Sequence, residues 1–308
     1  MAMATREAYG HELAELVKEN PRIVVLDADL AGSTKTIEAK KVAPERFFDM
    51  GIAEADMIGH AAGLAASGYI PFASSFAMFC TGRAWEQIRN SVAYPHLNVK
   101  IVGTHSGITV GEDGASHQAI EDIAIMRAIP GMEVYVPCDA AETKALIRYV
   151  STTKKPCYVR LGRASVDDVY DDTTTFDFPR IKVVNRGEKV AIFATGLEVQ
   201  EALKAAKNLQ SYGMNPTVVD VCSIKPLDEA GIVDILRTHD KIITVEEHNV
   251  IGGLGEAISS VSTNREPKLI TKLGMPDCFG ESGKPRELLE KYRLTYETIC
   301  DAVSSLCD

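Results

Sequence analysis

Between Gly103 and Gln118 the chain reads Gly103-Thr104-His105-Ser106-Gly107-Ile108-Thr109-Val110-Gly111-Glu112-Asp113-Gly114-Ala115-Ser116-His117-Gln118. Two imidazoles and two carboxylates are spaced there by glycines, a set suited to proton transfer and to recognising hydroxyl groups. A lone loop histidine is usually a surface residue. So many polar groups in one glycine-rich loop, directly after an apolar run, is instead the pattern of a ligand site. Zinc fits less well, because His105 and His117 lack the close helical spacing of a metal motif and no cysteine cluster joins them.

Four other places carry chemistry-capable residues. Gly51-Ile52-Ala53-Glu54 leads into a smooth alanine-rich segment, and Glu54 by itself reads as a first-turn acid facing the helix dipole. Phe76-Ala77-Met78-Phe79 by itself reads as core packing. Arg160 and Arg163 flank Leu161-Gly162, where paired donors can clamp a phosphate or carboxylate. A solvated surface pair fits that sequence equally well. Gly252-Gly253-Leu254-Gly255 matches neither the dinucleotide nor the P-loop spacing and reads as a tight turn before a helix.

The elements that must position these residues alternate. Short stretches rich in apolar residues at 23–26, 70–74, 99–103, 133–136 and 158–161 read as strands. Helical patterns cover 54–67, 83–93, 116–128 and 140–150. Polar, non-periodic residues from Asp167 to Arg180 read as a linker. Strands at 190–194, 217–221 and 242–245 follow, with helices at 197–212, 228–237 and from about Gly255 onward. This alternation predicts two α/β domains, each a mostly parallel sheet flanked by helices, the second smaller.

Composition supports that reading. The chain has 308 residues, 45% apolar and 25% charged, enough for two well-buried cores. The net charge of −10 argues against non-specific binding to nucleic acid or an anionic membrane. Seven scattered cysteines without a Cys-x-x-Cys pair read as reduced thiols of a cytoplasmic protein. Met1 to Gly10 has no apolar run and does not read as a signal peptide. No stretch of about 18 apolar residues is present to span a membrane.

Taken together, the segments resemble the transketolase family, specifically its pyrimidine-binding and C-terminal domains, over essentially the whole chain. Thr104-His105 followed by Gly111 to Gln118 is the most specific part. Ala4-Thr5-Arg6, Ala28-Asp29-Leu30 with Ser33, Gly51-Ile52-Ala53-Glu54, the Phe76/Phe79 pair and Leu161-Gly162-Arg163 match in the same order. The resemblance implies a pyrimidine-binding domain at 1–170, a linker at 171–184 and a C-terminal-like domain at 185–308.

It also implies thiamine diphosphate with Mg2+ as cofactors. Glu54 resembles the glutamate that contacts N1′ of the cofactor's aminopyrimidine, and with His105 it is the expected catalytic pair. Phe76 and Phe79 match the apolar wall around the pyrimidine, and Asp29 and Leu30 match further cofactor contacts. His105 and Asp113 match positions that hold donor hydroxyls. Arg6, Ser33, His117 and Arg163 match the phosphate end of the sugar channel. The implied reaction moves a two-carbon ketol unit from a ketose phosphate to an aldose phosphate in pentose phosphate metabolism.

Two departures qualify the match. Full-length members begin with a domain whose Gly-Asp-Gly motif and later asparagine hold magnesium and the diphosphate, whereas Gly111 opens a different Gly-Glu-Asp-Gly motif. The expectation is therefore no metal ligand here, an N-terminal partner subunit carrying the Gly-Asp-Gly domain, and an α2β2 assembly. Gly82 falls where many members place an aromatic residue, so no role is carried over from Thr81 to Arg89. The β subunit of a 2-oxo acid dehydrogenase is a rival that the His105/Asp113/His117 set disfavours, and a deoxyxylulose-phosphate synthase fragment is another that His105 and Glu112 disfavour. A non-catalytic regulatory subunit is disfavoured by the intact Glu54.

Overall fold

A computed structural model describes residues 2–171 and 173–307. Met1, Asp172 and Asp308, which fall in the terminal and linker ranges expected above, lie outside the described residues.

The apolar runs become fully buried strands at Ile23–Asp27, Ile70–Phe76, Lys100–Thr104 and Cys157–Arg160. They are continuous rather than alternating because helices cover both faces of their sheet. Tyr9 and Leu13 with Leu146 and Ile147 pack on one side, and Met57 and Ile58 with Ile123 and Met126 on the other. The sheet has seven strands, in the order Ser223–Lys225, Glu133–Tyr135, Cys157–Arg160, Lys100–Thr104, Ile70–Phe76, Ile23–Asp27 and Phe47–Asp49. All its pairings are parallel except the first, which is antiparallel. A second sheet orders Ile270–Met275, Lys241–Asn249, Val190–Ala194, Thr217–Asp220 and Lys182–Asn185, again parallel but for one antiparallel edge pair. One apolar cluster runs from Met57 and Met126 to Phe193, Ile232 and Leu254, so the two halves share a core.

Several elements differ from the sequence reading. A helix spans Thr5–Glu19, burying Ala8, Tyr9, Leu13, Leu16 and Val17. Its cap, Ala4, has no side chain to accept the free N–H groups of the first turn, so the usual start signal is missing. The helix expected at 83–93 is instead a short turn of helix, Trp85–Gln87, between wide helical turns at Met78–Arg83 and Ile88–Ala93. The helix expected at 116–128 is confined to Asp122–Arg127, because Ala119 is held extended in a bridge to Ser106 and its carbonyl accepts the Gly107 N–H. Ser223–Lys225, although it follows the linker, adds an edge to the first sheet. The strand Ile270–Met275 and the helices Pro285–Lys291 and Tyr296–Cys307 extend beyond the elements read from the sequence.

All seven cysteines are free. Among the described residues no helix is long and apolar enough to cross a membrane.

Candidate active site

Parallel α/β sheets offer ligands the crevice beyond the carboxyl ends of their strands. Here the strands Ile23–Asp27 and Ile70–Phe76 end side by side, and the residues that follow them line a cavity of about 290 Å3. Its wall includes Asp29, Leu30, Glu54, Phe76, Phe79, Arg83 and His117. A larger open groove, about 860 Å3, lies beside the strand starts Ile23 and Ile70, and none of the expected site residues reaches it.

Glu54 is the first residue of the helix Glu54–Ala66 and is 1% exposed. The positive end of the helix faces its carboxylate. Ser75 Oγ donates to Oε1 at 3.2 Å, and Arg83 Nη1 donates to Oε2 at 2.7 Å. The Arg83 guanidinium also lies 4.7 Å from the centre of the Phe79 ring. Arg83 stands in the segment to which no role was assigned. Nothing in the sequence around it signals a partner that is 29 residues away.

Phe76 stacks on His105, with ring centres 3.9 Å apart and planes 28° apart. His117 meets the edge of Phe79 at 5.0 Å. His105 holds a left-handed φ of 57°, an uncommon geometry for a non-glycine residue that turns the chain sharply at the strand end. Thr104 Oγ1 is 2.9 Å from its Nδ1, and Arg6 Nη1 is 3.5 Å from its Nε2. Arginine is always a donor, so Nε2 accepts and Nδ1 carries the hydrogen toward Thr104. Burial, and then the charges of Arg6 and Arg163, push the His105 pKa down to about 3. His105 is therefore expected to remain a neutral Nδ1–H imidazole down to about pH 5. Imidazole 15N shifts of the isolated chain measure this, and ordinary titration near the reference histidine pKa would contradict it.

Arg6 gathers the neighbouring residues. Its Nη1 donates to the Ser33 carbonyl at 2.7 Å and its Nε to the Arg163 carbonyl at 3.3 Å. Arg163 in turn donates to the Val110 carbonyl and to Glu112 Oε2. Arg6, Ser33, His105 and Arg163 thus form one contiguous group. Asp113 is exposed at the end of the turn Ile108–Asp113 and lies outside the cavity lining.

Asp27, not singled out in the sequence, organises the loop carrying Asp29, Leu30 and Ser33. Its carboxylate accepts from the Leu30 N–H at 2.7 Å and from the Thr34 and Thr36 hydroxyls at 2.6 and 2.8 Å. Burial raises its pKa to about 6 in spite of those bonds. An acid closing an apolar strand was the available signal.

Arg160 proves unlike Arg163. It is buried, pairs with Asp122 at 2.8 Å, and donates to the carbonyls of Ala119 and Glu247. The Glu247 carboxylate accepts the Thr109 N–H at 2.6 Å, tying the His105–His117 loop to the second sheet. Gly107 permits that approach, since a Cβ there would sit 2.3 Å from the carboxylate. The turn before the helix Leu254–Arg265 is closed from within, because Glu246 accepts the N–H groups of Leu254 and Gly255.

Residues 1–168 match the family model of the transketolase pyrimidine-binding domain, and residues 180–299 match that of the transketolase C-terminal domain. The chain belongs to the transketolase family. A Methanocaldococcus jannaschii protein named as a transketolase C-terminal section is 51% identical over 97% of this chain and 94% of its own length. A 6-deoxy-6-sulfo-D-fructose transketolase subunit from a Clostridium species is 39% identical over 98% of this chain and 94% of its own. The solved structure titled as a split-gene transketolase, inactive beta4 tetramer, superposes with a TM-score of 0.92 at 50% identity and covers 98% of both chains. The chain spans about half the length of the mammalian transketolases it matches, 49% of the human and rat proteins. It therefore corresponds to the C-terminal section of a transketolase of the split kind.

Proposed function

We propose that the chain is the C-terminal subunit of a two-chain, thiamine-diphosphate-dependent transketolase that moves a two-carbon ketol unit from a ketose phosphate to an aldose phosphate. The observation that carries this reading is the Glu54 carboxylate, buried in a cavity walled by Phe76 and Phe79 and lying beside the Arg6–His105–Arg163 group.

The residues fit the pyrimidine half of the cofactor: an aromatic wall for a flat ring and one carboxylate for a ring nitrogen. When bound, thiamine diphosphate supplies the electron sink for carbon–carbon cleavage. Glu54 then holds a proton at N1′, while Phe76 and Phe79 keep water from it. Asp29 and Leu30 border the ring. Neutral His105 can exchange a proton with a donor hydroxyl. Arg6, Ser33, His117 and Arg163 receive the sugar phosphate, with the two guanidiniums as charge-assisted donors.

The diphosphate and Mg2+ do not fit this cavity. Among the described residues the one cluster able to hold a metal is Cys138, Glu142 and Asp220, which is buried and outside the cavity lining. The reading therefore requires an N-terminal partner with the Gly-Asp-Gly domain, in an α2β2 assembly in the cytoplasm, serving pentose phosphate metabolism. It places the domains at 1–170 and 185–308 around a linker at 171–184. Ser223–Lys225 reaches back across that division.

The test is reconstitution. The purified chain alone should show negligible ketol transfer with xylulose 5-phosphate and ribose 5-phosphate. Adding the N-terminal partner, Mg2+ and thiamine diphosphate should restore it. Robust turnover by the isolated chain, or none after assembly, overturns the reading. A panel including sulfonated and branched sugars identifies the physiological donor.

A further inference from the structure

We propose that Arg83 is a displaceable counter-ion that competes with the cofactor's aminopyrimidine for the Glu54 carboxylate. This rests on the cofactor reading above. The Glu54 carboxylate has two oxygens, and both already accept a hydrogen bond: Oε1 from Ser75 and Oε2 from Arg83. Each oxygen keeps a second lone pair, but Arg83 both holds Oε2 and lines the cavity, so a ring nitrogen approaching that oxygen from the cavity meets the guanidinium. Ser75 is completely buried in the strand Ile70–Phe76 and cannot withdraw. The Arg83 side chain is 47% exposed, lies over the Phe79 ring, and itself lines the cavity.

The local backbone permits such a movement. Arg83 ends the wide turn Met78–Arg83, just after Gly82, which carries no side chain to hold it. The pair also has a purpose before assembly. A buried carboxylate without a partner is strongly unfavourable. Because this chain supplies only half of the cofactor site, Glu54 must stay compensated until the partner and cofactor arrive. Arg83 provides that compensation, and its cation–π contact with Phe79 holds it across the wall against which the ring would pack.

The experiment measures Mg–thiamine diphosphate binding to the assembled two-chain enzyme by calorimetry, and thermal melting of the isolated chain. Arg83→Met is expected to bind the cofactor about fivefold more tightly, the equivalent of one partly exposed ion pair no longer broken. The isolated Arg83→Met chain should melt below wild type. Adding Glu54→Gln should restore its melting point, because the uncompensated charge is then gone. A merely structural arginine would lower the melting point without tightening binding, and Glu54→Gln would not rescue it. Binding equal to or weaker than wild type overturns the proposal. If Arg83→Met does not fold, Arg83→Lys decides by the same measurement, with tighter binding expected and unchanged or weaker binding against. Should the wild-type assembly bind no cofactor at all, the cofactor reading fails instead.

Discussion

Glu54→Gln in the assembled two-chain enzyme is expected to lower kcat for ketol transfer at least about a hundredfold, the lower bound for losing a positioned proton-transfer group. Glutamine keeps the size of the side chain and can still accept from Ser75, so the fold and the subunit assembly should survive. It cannot pass a proton to and from a ring nitrogen. The carboxylate is held in place by the helix start at Glu54, the Ser75 hydroxyl and the Arg83 guanidinium. Steady-state rates of reconstituted complexes, with assembly checked by size-exclusion chromatography, measure the effect. Near-normal turnover would remove Glu54 from the chemistry.

Arg160→Met is expected to destabilise the isolated chain by ~3–5 kcal/mol, the cost of breaking a buried pair from one side. Asp122 would keep only the Tyr158 hydroxyl, and its Oδ1 already has no hydrogen-bond partner among the described residues. The carbonyls of Ala119 and Glu247 would lose their shared donor, loosening the seam between the two sheets. Adding Asp122→Asn should recover part of the loss, because the orphaned charge is removed. Urea denaturation of the single and double variants measures this. A change below about 1 kcal/mol would show that the pair behaves like a surface one.

Much of the fold was legible because continuous apolar runs such as Ile23–Leu26 admit few alternatives to buried strands. The helix Thr5–Glu19 was missed for a local reason: it lacks a capping side chain at its start. The segment after Phe76 was misread because wide helical turns carry the same apolar spacing as an ordinary helix over so short a span. In the site, Glu54, Phe76, Phe79 and His117 were all expected and do share one cavity. Asp113 was expected beside His105, but it ends on an exposed turn. Asp27 and Arg83 went unassigned.

By itself the sequence determined the strand-and-helix alternation and the ordered set of polar motifs, and with them the family. Both are properties of consecutive residues, since an apolar run or a Gly-Glu-Asp-Gly stretch carries its meaning locally. Only the tertiary structure decided what each charge does. Arg160 and Arg163 are three residues apart and read alike, yet one is a buried strut to Asp122 and the other is a half-exposed guanidinium that donates to the Val110 carbonyl and to Glu112. Glu54, which by spacing alone was a helix-start acid, became a buried carboxylate only when Ser75 and Arg83 closed over it. Burial sets the strength of a charge and the partners it must have, and burial depends on distant segments that meet when the sheet forms.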